Sequence, residues 1–367
     1  MTRKLSHSSV STYQTCPKKW ELHYNERLRP KRQSSALLFG TALDKSFEAM
    51  TQGEDGFAFF EKVWSFQIIN NETVYLPDSE LLAYYKSDLE LFLLSNEDKE
   101  KLNLWLKENT PETRNWDEVF YELSEERDIQ GFDNLKIGKQ RFLNLVFWYS
   151  LRAKGLLMIQ TLKDKVLPKI TKILSTQEEI NISLGNGDKI TGFTDLVAKW
   201  NPHEDDYVIF DLKTSSNPYE ADSVLKSPQL ALYVHALKDK YQTRKCGFIV
   251  LGKKIIKNKT KLCSVCKIEG TGSKARTCDK EIDKKRCGGA WEEAYSPEIM
   301  LQIIVDTIPE AQEKLVLENF TAINNVLKSG VFIRNFQSCV MPYGKCAFYN
   351  YCHNNNGDDL IKLEEKV

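Results

Sequence analysis

Asp211 and Lys213 stand two residues apart at the end of an apolar run, and a second acid, Asp195, precedes Asp211 by sixteen positions in Gly192-Phe-Thr-Asp195. Two carboxylates on neighbouring strands can hold a hard divalent cation such as Mg²⁺ or Mn²⁺ through oxygen. Side chains alternate along a strand, so Lys213 faces the same way as Asp211. A lysine there can orient or deprotonate an attacking water. The chemistry that suits these three residues is metal-assisted hydrolysis.

The elements that must position them are legible in the patterning. Tyr207-Val-Ile-Phe-Asp-Leu-Lys213 has the β-branched and aromatic character of a buried strand. Residues Lys189 to Trp200 read as its hairpin partner, with Asn201 to Asp206 as the polar turn. A further strand is predicted over Thr176 to Leu184, ending in a Gly185-Asn-Gly187 turn. Glu179 on that strand is either an added acid near the metal or a solvent-facing residue. Ser227 then opens a helix in which Gln229 and Tyr233, four residues apart, share a face and can reach back over the acids.

Taken in order, Gly192–Asp195, Asp211-Leu-Lys213 and the Gln229–Tyr233 pair resemble the PD-(D/E)XK nucleases. Within them the likeness is to the RecB-like branch, which includes the AddB nuclease domain and the CRISPR-associated iron–sulfur exonucleases. The resemblance implies an α/β fold: a restriction-endonuclease-like core, with a small mixed sheet flanked by helices, and a helical cap region. It implies Asp195, Asp211 and the Leu212 carbonyl as ligands of Mg²⁺ or Mn²⁺, with Lys213, Gln229 and Tyr233 completing the catalytic set.

The segment from Leu5 to Trp20 is similar to the family's opening helix, with Ser8 or Ser9 as the expected N-cap. Phe39 to Glu48 is similar to the helix that usually presents a histidine to one metal ion. Asp44 stands at that place and is still a hard-oxygen ligand, so it is a candidate for the metal set. A surface acid that only caps or salt-bridges its helix is the other reading.

Nine cysteines form two groups of four plus Cys246, which lies in the apolar run Cys246 to Leu251 and reads as a buried small side chain. The first group is Cys16, Cys339, Cys346 and Cys352. By resemblance, one cysteine from the first helix and three from the carboxy terminus bind a [4Fe–4S] cluster that staples the two ends together. The six residues between Cys339 and Cys346 exceed the family's usual two. Zinc at the same thiols, or unliganded cysteines, stay open as readings. A disulfide framework is disfavoured because the chain opens Met1-Thr-Arg-Lys-Leu-Ser without an apolar signal segment, which sets a cytoplasmic location as the expectation.

The second group, Cys263-Ser-Val-Cys266, Cys278 and Cys287-Gly-Gly289, suits a structural Zn²⁺ ribbon. It reads as an insertion after a strand ending near Leu251 and before a helix starting near Ser296. Basic residues crowd it, among them Lys253, Lys254, Lys284, Lys285 and Arg286. Cations that neutralise phosphates give affinity without sequence information, so the insertion is a candidate clamp on a nucleic-acid backbone or, more plainly, a solvated face.

The whole chain, 367 residues with formal net charge zero, is 41% apolar and 28% charged. That balance argues against indiscriminate coating of nucleic acid and fits an enzyme with a local channel. No apolar stretch approaches the roughly 20 residues of a membrane span. The expected organisation is amino-terminal helices over 1–53, a helical cap over 54–175, the core over 176–252, the basic zinc-ribbon-like insertion over 253–292, and a helix with the terminal cysteines over 293–367.

In the cap, the pattern from Phe57 to Phe66 and a long periodic stretch from Gln140 to Leu174 predict helices. Trp105, Trp116 and Trp148 there are either base-stacking or, at helical spacing, core residues. After Cys352 the polar run Asn354 to Asp359 is expected to fray.

The resemblance implies a DNA substrate, single-stranded or end-bearing, degraded exonucleolytically in repair, recombination or phage DNA metabolism, with a helicase or recombinase as candidate partner. Two other functions remain: an inactive zinc- and cluster-bearing scaffold for nucleic acid, and a metal-dependent RNase.

Overall fold

The computed structural model describes residues 4–30, 35–64, 66–69, 72–75, 104, 151, 154–201, 203–266, 268, 270, 277, 278, 280–282, 285–341 and 344–363. Trp105, Trp116, Trp148 and Lys284 lie outside the described residues.

The chain opens with strand β1 (Lys4–Leu5), helices α1 (His7–Thr15) and α2 (Pro17–Trp20), and β2 (Leu28–Pro30). Helices α3 (Ser35–Thr51) and α4 (Gly56–Trp64) and the pair β3 (Phe66–Ile69) and β4 (Glu72–Tyr75) follow. Three long strands come next: β5 (Ile170–Gly185), β6 (Asp188–Trp200) and β7 (His203–Ser215). Helix α5 (Pro228–Tyr241) leads into β8 (Lys245–Cys263). Two short strands, β9 (Glu281–Ile282) and β10 (Lys285–Arg286), precede β11 (Trp291–Thr307). Helix α6 (Glu310–Lys328), strands β12 (Val340–Met341) and β13 (Gly344–Lys345), helix α7 (Tyr349–Asn354) and β14 (Leu360–Lys362) complete the order.

The main sheet is mixed, in the order β1-β6-β7-β8-β11, with β5 on β6. Because β5 pairs along nearly the whole of β6, strands β1 and β7 must share the opposite edge. β1 takes Lys189 and Ile190; β7 takes Leu196 to Trp200. The edge of β6 between Ile190 and Leu196 is left open, and Asp195 lies on it.

Alternation sorts the apolar residues onto two faces. One face gathers Val197, Ile209, Phe248 and Val250 with α5, Trp20 and the buried side of α6. The other gathers Leu196, Ala198, Phe210, Ile249 and Leu251 with α3, α4 and the helical residues after 154. The sheet is thus buried on both faces, as parallel β7–β8 pairing requires.

Several local expectations are corrected. Helix α1 is capped by Ser6, not Ser8 or Ser9, because Ser6 and Ser9 form a reciprocal capping box. The helical stretch forecast to Leu174 ends earlier: a π turn (Leu162–Val166) and a 3₁₀ turn (Leu167–Lys169) hand over to β5, whose Ile170-Thr-Lys-Ile run suits a strand. The turn forecast over Asn201 to Asp206 is shorter, since His203 already pairs with Trp200. β8 does not stop near Leu251, and no helix begins near Ser296. Instead β8 and β11 run on as an antiparallel ribbon to Cys263 and Trp291.

That ribbon is broken once, between Ile299 and Leu301, where Met300 packs on Gly252. A Cβ at Gly252 would come within 2.7 Å of the Met300 Cβ. The tail after Cys352 is not frayed either. Asn356 N–H bonds to the Asn350 carbonyl, and β14 pairs antiparallel with β2, tying the two ends of the chain together.

Candidate active site

The site forms where β6 and β7 part. Their ladder ends at Leu196 and Phe210, so the next residues, Asp195 and Asp211, face the gap. Leu212, freed from β6 as a backbone partner, donates its N–H to Asp195 Oδ2 at 2.6 Å. Asp211 is 2% exposed and is held from α5. Gln229 Nε2 donates to Asp211 Oδ1 at 2.9 Å and contacts the Tyr233 hydroxyl at 2.6 Å. Ser227 caps this helix, with its hydroxyl accepting from Leu230 N–H, and thereby fixes the first turn that carries Gln229. Lys213 Nζ lies 2.5 Å from Asp211 Oδ2.

Asp44 acts on the group from α3, which packs on the sheet face opposite α5. Burial and the charge of Asp211 push its carboxyl up to about 6. Asp195 is raised further, to about 8, by burial first and then by Asp211 and Asp44. Asp211 is raised chiefly by burial, with Lys213 opposing. For Lys213 burial lowers the pKa, but Asp211 outweighs it and the net shift is upward, so the amine is a cation at neutral pH. Burial and the same acids drive the Tyr233 phenol upward.

Three buried acids acting on one another beside one lysine resist ionising together, and a hard divalent ion taking the place of their protons would relieve that cost. Asp44, Asp195 and Asp211 carry the hard oxygen donors that such an ion takes. Glu179 does not join them; it is exposed and opposite Phe193.

Two neighbours of the site escaped the sequence reading. Gln177 Nε2 reaches Asp195 Oδ1 at 3.4 Å. His7, the first residue of α1, is close enough to Lys213 for that charge, after burial, to lower its imidazole pKa. Folding β5 back on β6 about the Gly185-Asn186-Gly187 turn would have placed Gln177 opposite Asp195. Nothing in the local sequence marks His7; it arrives because β1 pairs beside the gap.

The profile of the PD-(D/E)XK nuclease superfamily matches residues 4–353, nearly the whole chain. The chain belongs to the PD-(D/E)XK nuclease superfamily. A provisionally named exonuclease of Eubacterium rectale is 13% identical to this nuclease, with a TM-score of 0.37, covering 100% of this chain and 91% of that one. The protein designated SSO0001 is 15% identical, with a TM-score of 0.24, covering 63% of this chain and 84% of that one. Both scores fall below 0.5, so membership rests on the profile match. No curated protein matches the nuclease.

The two cysteine groups of the nuclease are arranged differently. Cys263, Cys266, Cys278 and Cys287 bring their four sulfurs within 4.8 Å of one another, with Cys263 to Cys287 at 3.4 Å and Cys266 to Cys278 at 3.7 Å. Around one tetrahedral zinc with bonds of about 2.3 Å, sulfurs stand ~3.8 Å apart. Desolvation raises the Cys263 thiol, but the amides of Cys266 and Val265 outweigh it and bring it down to about 6.

Cys16, Cys339, Cys346 and Cys352 also converge, from opposite ends of the chain. Asn335 joins them: its N–H points at Cys16 Sγ (3.5 Å), its side chain donates to the Thr15 carbonyl (2.8 Å), and its carbonyl accepts from Cys339 Sγ (3.6 Å). Cys352 is close enough to Cys346, Cys16 and Cys339 for their charges to act on its thiol. Among the described residues, these sulfurs are not gathered within 4.8 Å of one another as the ribbon set is.

Of the basic residues, Lys254, Lys285 and Arg286 are exposed; Lys253 is half-buried, and burial followed by Lys154 lowers its pKa. Among the described residues no helix is long and apolar enough to cross a membrane.

Proposed function

We propose that this nuclease cleaves DNA, single-stranded or at ends, by hydrolysis assisted by Mg²⁺ or Mn²⁺. The observation that supports the reading is the grouping of Asp195, Asp211 and Lys213 where β6 and β7 part, with Asp44 near enough for its charge and theirs to act on one another. Asp44, Asp195, Asp211 and the Leu212 carbonyl would hold the metal, which polarises the scissile phosphate and lowers the pKa of a bound water. Lys213, cationic beside Asp211, stabilises charge building on the phosphate and orients the nucleophile. Gln229, with Tyr233 against it, keeps Asp211 Oδ1 facing the gap rather than turning away. The β8–β11 ribbon, stiffened at its tip by Zn²⁺ on Cys263, Cys266, Cys278 and Cys287, presents Lys254, Lys285 and Arg286 to the nucleic-acid backbone. A [4Fe–4S] cluster on Cys16, Cys339, Cys346 and Cys352 staples the chain ends.

The test is cleavage of labelled DNA and RNA of one sequence, with Mg²⁺ or Mn²⁺ and with chelator. Lys213→Ala is expected to lose at least about 10²-fold in kcat while binding DNA nearly as the wild type does. Wild-type protein that binds DNA with metal present and never cuts it would establish the inactive scaffold instead. Preference for the RNA strand would make it an RNase. Metal analysis and an absorbance spectrum after anaerobic purification distinguish a cluster with one zinc from two zincs.

A further inference from the structure

We propose that Gln177 is the positioning residue for Asp195, fixing the plane of its carboxylate for the divalent ion. The inference rests on the reading of Asp195 as a metal ligand. Thr176 pairs with Leu196 and Glu178 with Thr194, so the register on either side sets Gln177 straight across from Asp195. At that position alone between the two pairs, the backbone leaves the extended region: Gln177 has φ +50°. The ladder pairing lapses there.

A left-handed conformation is costly for a residue with a Cβ, and in mid-strand it is not needed to make a turn. The sheet tolerates it at the one place where the side chain gains a partner. Gln177 Nε2 lies 3.4 Å from Asp195 Oδ1, while Leu212 N–H holds Oδ2 at 2.6 Å. With both oxygens engaged, the carboxylate plane is set. The arrangement parallels the other acid, where Gln229 donates to Asp211 Oδ1. Each acid thus has its own amide, one from β5 and one from α5.

The amide is uncharged, so it orients Asp195 without neutralising it, whereas a lysine or arginine here would compete with the cation for the carboxylate. Its conformation makes a clean test available. Glycine adopts positive φ without strain, so Gln177→Gly keeps the backbone and removes the amide; Gln177→Asn tolerates the same backbone and keeps an amide one methylene shorter.

Mn²⁺ binding is followed by electron paramagnetic resonance and calorimetry on the full-length protein, alongside melting in chelator and steady-state cleavage. Gln177→Gly is expected to bind Mn²⁺ about tenfold more weakly, a loss on the scale of one hydrogen bond to a charged group. Its KM for DNA should stay near the wild-type value, and its melting temperature in chelator should not fall. Gln177→Asn should recover part of the Mn²⁺ affinity. Wild-type Mn²⁺ affinity in Gln177→Gly overturns the proposal, as does a loss that follows lowered melting temperature and is not recovered by asparagine. Asp195→Ala is the control: if it too binds Mn²⁺ and cuts normally, the reading of the whole site fails. If it loses both while Gln177→Gly does not, the role of Gln177 alone is refuted.

Discussion

Asp195→Asn should make the metal-free protein more stable while abolishing its activity. In the fold, burial and the charges of Asp211 and Asp44 raise the Asp195 carboxyl from 3.8 to about 8. A folded value above the unfolded one means the folded chain holds a proton that the unfolded chain releases. The associated stability is therefore complete below about pH 4 and is lost as pH climbs through about 8. At about 1.4 kcal/mol per pKa step, the loss by pH 7 is roughly 4 kcal/mol, and it belongs to the coupled acids together rather than to one oxygen. Asparagine keeps an acceptor for the Leu212 N–H and drops the charge, so it should recover about half or more of that, ~2–4 kcal/mol.

The assay is chemical or thermal unfolding of both proteins in chelator from pH 4 to pH 8.5. The advantage of Asp195→Asn should be small at pH 4 and grow with pH. Mn²⁺ at 100 times its Kd should then add about 2.7 kcal/mol to the wild type and much less to the variant. A variant less stable than wild type at pH 8, or a difference that does not change with pH, would refute the electrostatic reasoning.

Two further outcomes follow from the ribbon. Cys266→Ser should remove zinc from the protein, measured by metal analysis, and weaken binding of long DNA, while cleavage of short oligonucleotides persists because the acids sit on β6, β7 and α3, outside the ribbon. Lys285→Glu with Arg286→Glu should weaken binding uniformly across sequences and flatten the slope of log K against log salt by about 0.7 per lost phosphate contact, measured by fluorescence titration.

The strands that carry the acids were legible because each holds a β-branched and aromatic run bounded by turn residues, and Ser227-Pro228 marks the helix start directly. The ribbon cysteine set was legible from its Cys-x-x-Cys opening, and its sulfurs do converge. What local sequence could not convey was how far β8 and β11 extend beyond the core, because polar lysine-rich strands lack the apolar alternation that announces a strand. Nor could it reveal Gln177, whose role depends on register across a turn and on a single dihedral. Asp44 was located by resemblance alone; its nearness to Asp211 is a tertiary fact, set by α3 packing on the sheet.

β8 runs without interruption from the peptide beside Lys213, where Val250 is its partner, out to Cys263 in the knuckle. Nineteen residues of one strand therefore join the candidate active site to the cysteine knuckle. Its fulcrum is the Gly252–Met300 bulge, where strands bend most readily. A bulkier residue at 252 would press on Met300 and tilt the outer arm with its exposed Lys254, leaving every acid untouched.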